Sequence, residues 1–95
     1  MPGKDKPQRR EVFYQGMVQG VGFRYTARQA AARFAVTGYV QNLADGRVLL
    51  VAEGDAEEVE RFLGSVRMKL GHYICEASES LAAATGEFER FDIRF

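Results

Sequence analysis

A short segment, residues 16–24, carries residue types that favour the binding of an anion. It reads G-M-V-Q-G-V-G-F-R and joins a stretch typical of a strand to a stretch typical of a helix. Gly20 and Gly22 can adopt backbone conformations closed to other residues, so that successive N–H groups converge. A helix beginning near Phe23 would add its own free N–H groups and its positive dipole end. The segment is compatible with a purely structural turn, but it also predicts an anion site.

Arg24 strengthens the interpretation of this segment as an anion site. It falls in the first turn of the predicted helix, where a cation is mildly unfavourable unless an anion is bound nearby. A guanidinium group is planar and always charged, and it can bind two oxygens of a phosphoryl group at once. The segment has neither the lysine-containing pattern of a nucleotide P-loop nor the glycine pattern of a dinucleotide site.

Asn42 supplies a second polar group for the same chemistry. It stands near the end of the next predicted strand, where an asparagine is often simply a turn former. Its amide can also donate a hydrogen bond to a water molecule and accept one from it without carrying a charge. An arginine, a backbone anion site and an amide that orients water would together suit in-line attack on a phosphoryl group.

The elements that must position these residues follow from the periodicity of apolar residues. Apolar residues at helical spacing predict two helices, one carrying Phe23, Ala27, Ala31 and Phe34 and one carrying Val59, Phe62, Leu63, Val66 and Leu70. Asp55 and Glu58 have the spacing of a capping box at the start of the second helix. Strand-forming stretches occupy residues 11–18, 39–43, 47–53, 73–78 and 91–95, with a hairpin turn at Asp45-Gly46 and a polar, alanine-rich loop after residue 78.

This order of elements predicts the fold class. A β-α-β-β-α-β order is best satisfied by a ferredoxin-like α+β sandwich, an antiparallel sheet with both helices on one face, here followed by a short C-terminal edge strand. Right-handed crossovers make the first and second strands parallel, with the third strand between them. The ends of these two strands then lie at one edge of the sheet, about 10 Å apart, which brings Arg24 and Asn42 to the same place.

Composition narrows the classes of function. The chain has 95 residues, 13 Lys and Arg against 13 Asp and Glu, one Cys and one His. We expect a flexible basic tail over residues 1–10 and one domain over residues 11–95, whose net negative charge makes it a poor ligand for nucleic acid. The single Cys75 and His72 favour neither a disulfide framework nor a metal site, and no apolar run is long enough for a membrane span. We therefore expect a cytoplasmic monomer without metal or other cofactor.

Several motifs in register resemble one known family. Q-G-V-G-F-R at residues 19–24, G-Y-V-Q-N-L-A-D-G-R-V at 38–48, A-E-G-D at 52–55 and the terminal F-D-I-R-F together look like the acylphosphatase family, from about residue 12 to residue 95. The resemblance implies metal-independent hydrolysis of small-molecule acyl phosphates, with inorganic phosphate or sulfate as competing ligands. It implies that Arg24 binds the phosphoryl group and that Asn42 positions the attacking water. It also implies that the backbone of one loop surrounds the phosphoryl group, namely Gln19, Gly20, Val21, Gly22, Phe23 and Arg24.

Two other functions are compatible with the same fold. RNA-recognition modules stack bases on strand aromatics, but the third strand, R-V-L-L-V-A-E, has none. A regulatory domain that senses a small molecule would not need Arg24 and Asn42 together. Both alternatives predict that a generic acyl phosphate is not hydrolysed.

Overall fold

The computed structural model describes residues 6–95, which form a five-stranded sheet in the order β4-β1-β3-β2-β5 and two helices. In chain order the elements are β1 (Gln8–Gly16), α1 (Phe23–Ala31), β2 (Thr37–Asn42), β3 (Val48–Gly54), α2 (Ala56–Leu70), a 3-10 turn (Gly71–Tyr73), β4 (Ile74–Ala83) and β5 (Phe91–Arg94). The ferredoxin-like fold predicted from the sequence is confirmed. β3 lies at the centre of the sheet, and β5 lies at its edge.

The core forms between both helices and one face of the sheet. The apolar stripe predicted for α2 is buried as a whole, and its Phe62 packs edge-on against Phe91 of β5 at 5.1 Å between ring centroids. Phe23 of α1 packs on Tyr14 of β1, also at 5.1 Å. Phe34, predicted as helical, lies in the turn after α1 but still packs against this core. Because alternate strand residues point to opposite faces, this packing fixes which face carries the helices.

The strand directions bring the ends of β1 and β2 together. β3 pairs antiparallel with β1 and with β2, so β1 and β2 run parallel on either side of it, as predicted. Asn42, the last residue of β2, pairs with Val48 across the hairpin. β5 pairs with β2 in parallel, which makes the sheet mixed rather than entirely antiparallel.

The first strand begins earlier than predicted. β1 starts at Gln8, so Arg9 and Arg10, assigned to the flexible tail, belong to the sheet. Both arginines are held by carboxylates: Arg9 binds Glu11 and Glu53, and Arg10 binds Glu60 and Glu79. The sequence predicted a basic tail here because Glu53, Glu60 and Glu79, which bind these two arginines, are distant in sequence. Residues 1–5 of the predicted tail lie outside the described residues.

Two other local predictions were wrong. β4 continues to Ala83 because it pairs with β1 as far as Gln8, so residues 79–83 are strand and the expected loop is confined to residues 84–90. The capping box of α2 does not form, although Asp55 is at the N-cap position. The carboxylate of Glu58 instead accepts a hydrogen bond of 2.8 Å from the backbone N–H of Ala35, in the connection before β2. Within residues 6–95 no helix is long and apolar enough to cross a membrane.

Candidate active site

A pocket of about 230 Å³ opens at the sheet edge where β1 and β2 end. It contains side chains or backbone from the loop after β1, from α1, from the end of β2 and from β5. The pocket is lined by Val18, Gly20, Gly22, Phe23, Arg24, Tyr25, Asn42, Ile93 and Phe95. The structure therefore brings together Arg24 and Asn42, which are 18 residues apart in the sequence.

The loop before α1 combines two left-handed glycines with backbone donors that have no partner among the described residues. Gly20 has φ +81° and Gly22 has φ +77°, a left-handed conformation that favours glycine. Among the hydrogen bonds found within residues 6–95, none has a backbone N–H of residues 20–24 as its donor. The first turn of α1 contains no acidic residue, and its N-cap, Gly22, has no side chain. Neither the first turn nor the N-cap therefore compensates the positive end of this helix.

Arg24 is placed at this same helix end. Its guanidinium group lies over the ring of Phe95, at 5.0 Å from the ring centroid. In the part of the chain that the structure describes, Arg24 forms no salt bridge with a carboxylate. Arg9, in contrast, is paired with three acidic side chains and Arg10 with two. Arg24 thus lines the pocket with a guanidinium group that no carboxylate of the described residues neutralises.

Asn42 lines the pocket and carries a buried acceptor. Its Oδ1 atom is buried and has no hydrogen-bond partner among the described residues. A buried acceptor without a partner costs about 1–3 kcal/mol, so such an atom needs a reason to be retained. A water molecule in the pocket would supply the missing donor. The interpretation of Asn42 as a turn former alone does not account for this atom, since the turn after β2 closes through backbone groups.

The predicted loop residues do not all face the pocket. Gly20, Gly22, Phe23 and Arg24 line it, whereas Gln19 and Val21 do not. Val21 packs against the hydrophobic core. The side chain of Gln19 turns toward the β2–β3 hairpin, where its Nε2 atom donates to the backbone oxygens of Leu43 and Arg47.

Four lining residues were not predicted as part of the site, and one of them, Val18, is a fully buried core residue in the loop before α1. Ile93 and Phe95 reach the pocket because β5 pairs in parallel with β2, next to Asn42. Tyr25 follows Arg24 in α1. The alternation in F-D-I-R-F was a usable signal, since residues 91, 93 and 95 share one side of a strand. Nothing in the sequence showed which strand β5 would join.

The described residues hold no group of three or more His, Cys, Asp and Glu that could bind a metal ion. His72, in the 3-10 turn before β4, and Cys75, near the start of β4, are exposed to solvent. Asp45, in the hairpin, accepts hydrogen bonds from the backbone and side chain of Arg47, and the backbone bond is the main reason that its pKa is lowered. Its contacts are those of a turn residue.

Comparison with known proteins identifies the family. Two helices against a five-stranded sheet define a ferredoxin-like α+β protein. The crystal structure of acylphosphatase from Bacillus subtilis superposes on this chain with a TM-score of 0.83 and 28% sequence identity. The match covers 93% of this chain and 99% of that one. An acylphosphatase of Archaeoglobus fulgidus is 35% identical over 90% of this chain and 96% of its own. One of Syntrophus aciditrophicus is 42% identical over 93% of each chain. A family model described as Acylphosphatase matches residues 10–93. The chain belongs to the acylphosphatase family and is an acylphosphatase enzyme. Membership of this family favours hydrolysis of acyl phosphates over the RNA-binding and regulatory alternatives.

Proposed function

We propose that the pocket hydrolyses acyl phosphates by direct attack of water on phosphorus, without a metal ion or a covalent intermediate. The observation that carries this proposal is the buried Oδ1 of Asn42, which has no partner among the described residues, on a side chain that lines the same pocket as Arg24 and the N-terminus of α1. A water molecule that donates to this oxygen would be fixed beside a phosphoryl group bound by the loop. The acyl group would lie against the apolar side chains of Ile93 and Phe95, which line the same pocket.

The binding half of the site meets the negative charge of the phosphoryl group. Arg24 offers two parallel N–H donors, and the backbone N–H groups of residues 20–24 have no acceptor among the described residues. Donors that are already in place need no reorganisation as charge shifts in the transition state. This arrangement supplies the charge stabilisation for which other phosphoryl-transfer enzymes use a metal ion.

The reaction itself is a displacement at phosphorus. The oxygen of the water held by Asn42 forms a bond to phosphorus, and the bond from phosphorus to the bridging oxygen breaks. The electron pair of that bond leaves with the carboxylate. A phosphoryl oxygen accepts the proton that the water loses, since the second pKa of a phosphate group is about 6 and none of the described residues that line the pocket is acidic.

Hydrolysis in ¹⁸O-labelled water tests this function. With acetyl phosphate as substrate and EDTA present, we expect one product phosphate for each acetyl phosphate and ¹⁸O in the phosphate rather than in the acetate. Label in the acetate would mean attack at the carbonyl carbon and would overturn the mechanism. A rate that is lost in EDTA and restored by Mg²⁺ or Zn²⁺ would overturn metal independence.

A further inference from the structure

The side chain of Gln19 links the two halves of the proposed site. Its Nε2 atom donates to the backbone oxygen of Leu43 at 2.8 Å and to that of Arg47 at 2.9 Å. Gln19 belongs to the loop before α1, and Leu43 directly follows Asn42. One side chain therefore joins the segment that carries Arg24 to the segment that carries Asn42.

The two acceptors are the closing pair of the β2–β3 hairpin. The backbone N–H of Leu43 donates to the oxygen of Arg47 at 2.8 Å, and the N–H of Gly46 donates to the oxygen of Leu43 at 3.1 Å. Each oxygen thus accepts one bond from within the hairpin and a second from Gln19. Asn42 and Val48 are the next paired residues in the register. Any movement of this closing pair relative to the loop would move Asn42 relative to Arg24.

Apart from the packing of Val18 and Val21 against the core, the loop has few other contacts, and hydrogen bonds to the rest of the described residues are sparse. The backbone N–H of Met17 donates to the oxygen of Tyr73 at 2.9 Å, which fixes the start of the loop to the turn before β4. From Gly20 to Arg24 the backbone N–H groups donate to no acceptor within residues 6–95. In this stretch of the structure, the Gln19 side chain supplies the hydrogen bonds that join the loop to the hairpin.

We propose that Gln19 is a positioning residue that holds Asn42 at the correct distance from the phosphoryl group bound by the loop. It acts through its side chain and does not touch the substrate, in contrast to the backbone role that the family resemblance implies for it. The inference rests on the proposed function. The position of Asn42 matters for the rate of hydrolysis, because a misplacement of about 1 Å at a reacting centre can lower the rate by about 10²-fold.

Two substitutions test this role. Gln19→Met keeps the length of the side chain and removes both hydrogen bonds, while Gln19→Glu places an acceptor against two carbonyl oxygens. Gln15→Met is the matched control, because Gln15 is an exposed glutamine near the end of β1. We expect kcat for acetyl phosphate to fall at least tenfold in both Gln19 variants, with less than a threefold change in the inhibition constant of phosphate. The control should match the wild type in both quantities.

The pH profile separates positioning from general stability. In Gln19→Glu, protonation of the carboxyl group restores one donor, so the ratio of its kcat to that of the wild type should rise as the pH falls from 7 to 5. In Gln19→Met this ratio should stay flat. Thermal unfolding of both variants confirms that the compared proteins are folded.

A double-mutant cycle identifies the partner through which Gln19 acts. If Gln19 works by placing Asn42, then Gln19→Met should lower kcat much less in an Asn42→Ala background than in the wild type. The side-chain amide signal of Asn42 in a ¹⁵N–¹H spectrum should also shift in Gln19→Met and not in Gln15→Met. Losses that multiply, an unmoved Asn42 signal or a wild-type kcat in Gln19→Met would overturn the inference. A wild-type kcat in Asn42→Ala would instead overturn the proposed function, in which Asn42 holds the attacking water. That conclusion would hold whether or not the Asn42 signal shifts in Gln19→Met.

Discussion

Arg24 stands where its own charge is disfavoured by the helix and where no carboxylate among the described residues compensates it. An anion in the pocket would offset the unfavourable helix dipole and would pair with the charge of Arg24. We expect Arg24→Gln to lower kcat/KM for acetyl phosphate by at least about 10²-fold, because the loss of one preorganised donor commonly costs 10²–10³-fold. Steady-state kinetics over a range of substrate concentrations would measure this loss.

Arg28→Gln is the matched control for that substitution. Arg28 is the basic residue of the last turn of α1 and lies over the ring of Tyr25, at 5.2 Å from its centroid. It does not line the pocket. Its variant should keep nearly the full kcat/KM. Similar losses in the two variants would indicate that the charge of α1, rather than the guanidinium of Arg24, matters for activity.

Asn42 is expected to serve catalysis at a cost to stability. Asn42→Ala should lower kcat by about 10²-fold or more, because the amide contacts the water that attacks in the transition state. The inhibition constant of phosphate should change by less than about tenfold, or 1.4 kcal/mol. The free energy of unfolding should stay the same or rise, because the substitution removes a buried acceptor that has no partner within residues 6–95. Kinetics and urea denaturation measure the three quantities.

Gln41→Ala, one residue earlier in β2, controls for effects on the strand itself. Gln41 points to the opposite face of the sheet and does not line the pocket, so its variant should keep kcat. A large loss of stability in Asn42→Ala would show that the amide holds the hairpin. Equal losses of turnover and of phosphate affinity would show that Asn42 binds the phosphoryl group.

Among the strands, β3 carries a buried charge that fixes the connection between β4 and β5. Glu53 is 3% exposed and accepts hydrogen bonds from the backbone N–H groups of Thr85 and Gly86, from the Thr85 hydroxyl and from Arg9. Burial alone would raise the pKa of Glu53, but these four donors outweigh it and hold the pKa below its ordinary value of 4.5. The connection leads directly to β5, which places Ile93 and Phe95 at the pocket.

This cluster predicts a pH dependence of stability. A carboxyl group whose pKa is lower in the folded state than in the unfolded state stabilises the fold above the unfolded value, and that contribution is lost as the pH falls through the folded value. We therefore expect the free energy of unfolding to decrease as the pH falls below about 4.5. In Glu53→Gln this decrease should be smaller. Denaturation at a series of pH values between 3 and 7 would test it.

At neutral pH, Glu53→Gln should destabilise the protein by about 2–4 kcal/mol, because either orientation of the amide turns its NH₂ group toward a donor. Glu87→Gln is the control, since Glu87 lies 3.9 Å from the same Arg9 but is 52% exposed. Exposed ion pairs contribute about 0–1 kcal/mol, so this variant should unfold almost like the wild type. Equal effects of the two substitutions would contradict a special role for the buried carboxylate.

For the molecule as a whole, anion binding should be coupled to folding. The pocket combines residues from the loop before α1, from α1, from β2 and from the β5 segment. These segments come together only in the folded chain, so the anion should bind the folded chain and not the unfolded one. Inorganic phosphate or sulfate should then raise the free energy of unfolding, by about 2.7 kcal/mol at a concentration of 100 times Kd. Thermal unfolding at several phosphate concentrations measures this effect.

The comparison must separate specific binding from a general effect of salt. Sodium chloride at the same ionic strength is the reference for phosphate, and Arg24→Gln should remove most of the difference between the two salts. Phosphate should also inhibit hydrolysis competitively over the same concentration range. A stabilisation that persists in Arg24→Gln would place the bound anion outside this pocket.

The sequence by itself determined the order of elements and the position of the glycine turn before α1. Both rest on local physics: α2 follows from an apolar stripe at helical spacing, and the loop follows from two glycines before a helix, which Gly20 and Gly22 confirm with their left-handed conformations. The topology rules for this order of elements also placed Arg24 and Asn42 at one edge, as the pocket confirms. Predictions that depended on neighbours along the chain were therefore mostly correct.

Only the tertiary structure decided the features that depend on partners distant in sequence. The start of β1 at Gln8, the length of β4 and the use of Glu58 by Ala35 all follow from pairings between segments more than 20 residues apart. The same holds for the side chain of Gln19, which the sequence placed only within a backbone anion loop. An amide on a loop has many acceptors within reach, and the packed fold alone selects the two hairpin carbonyls that it binds.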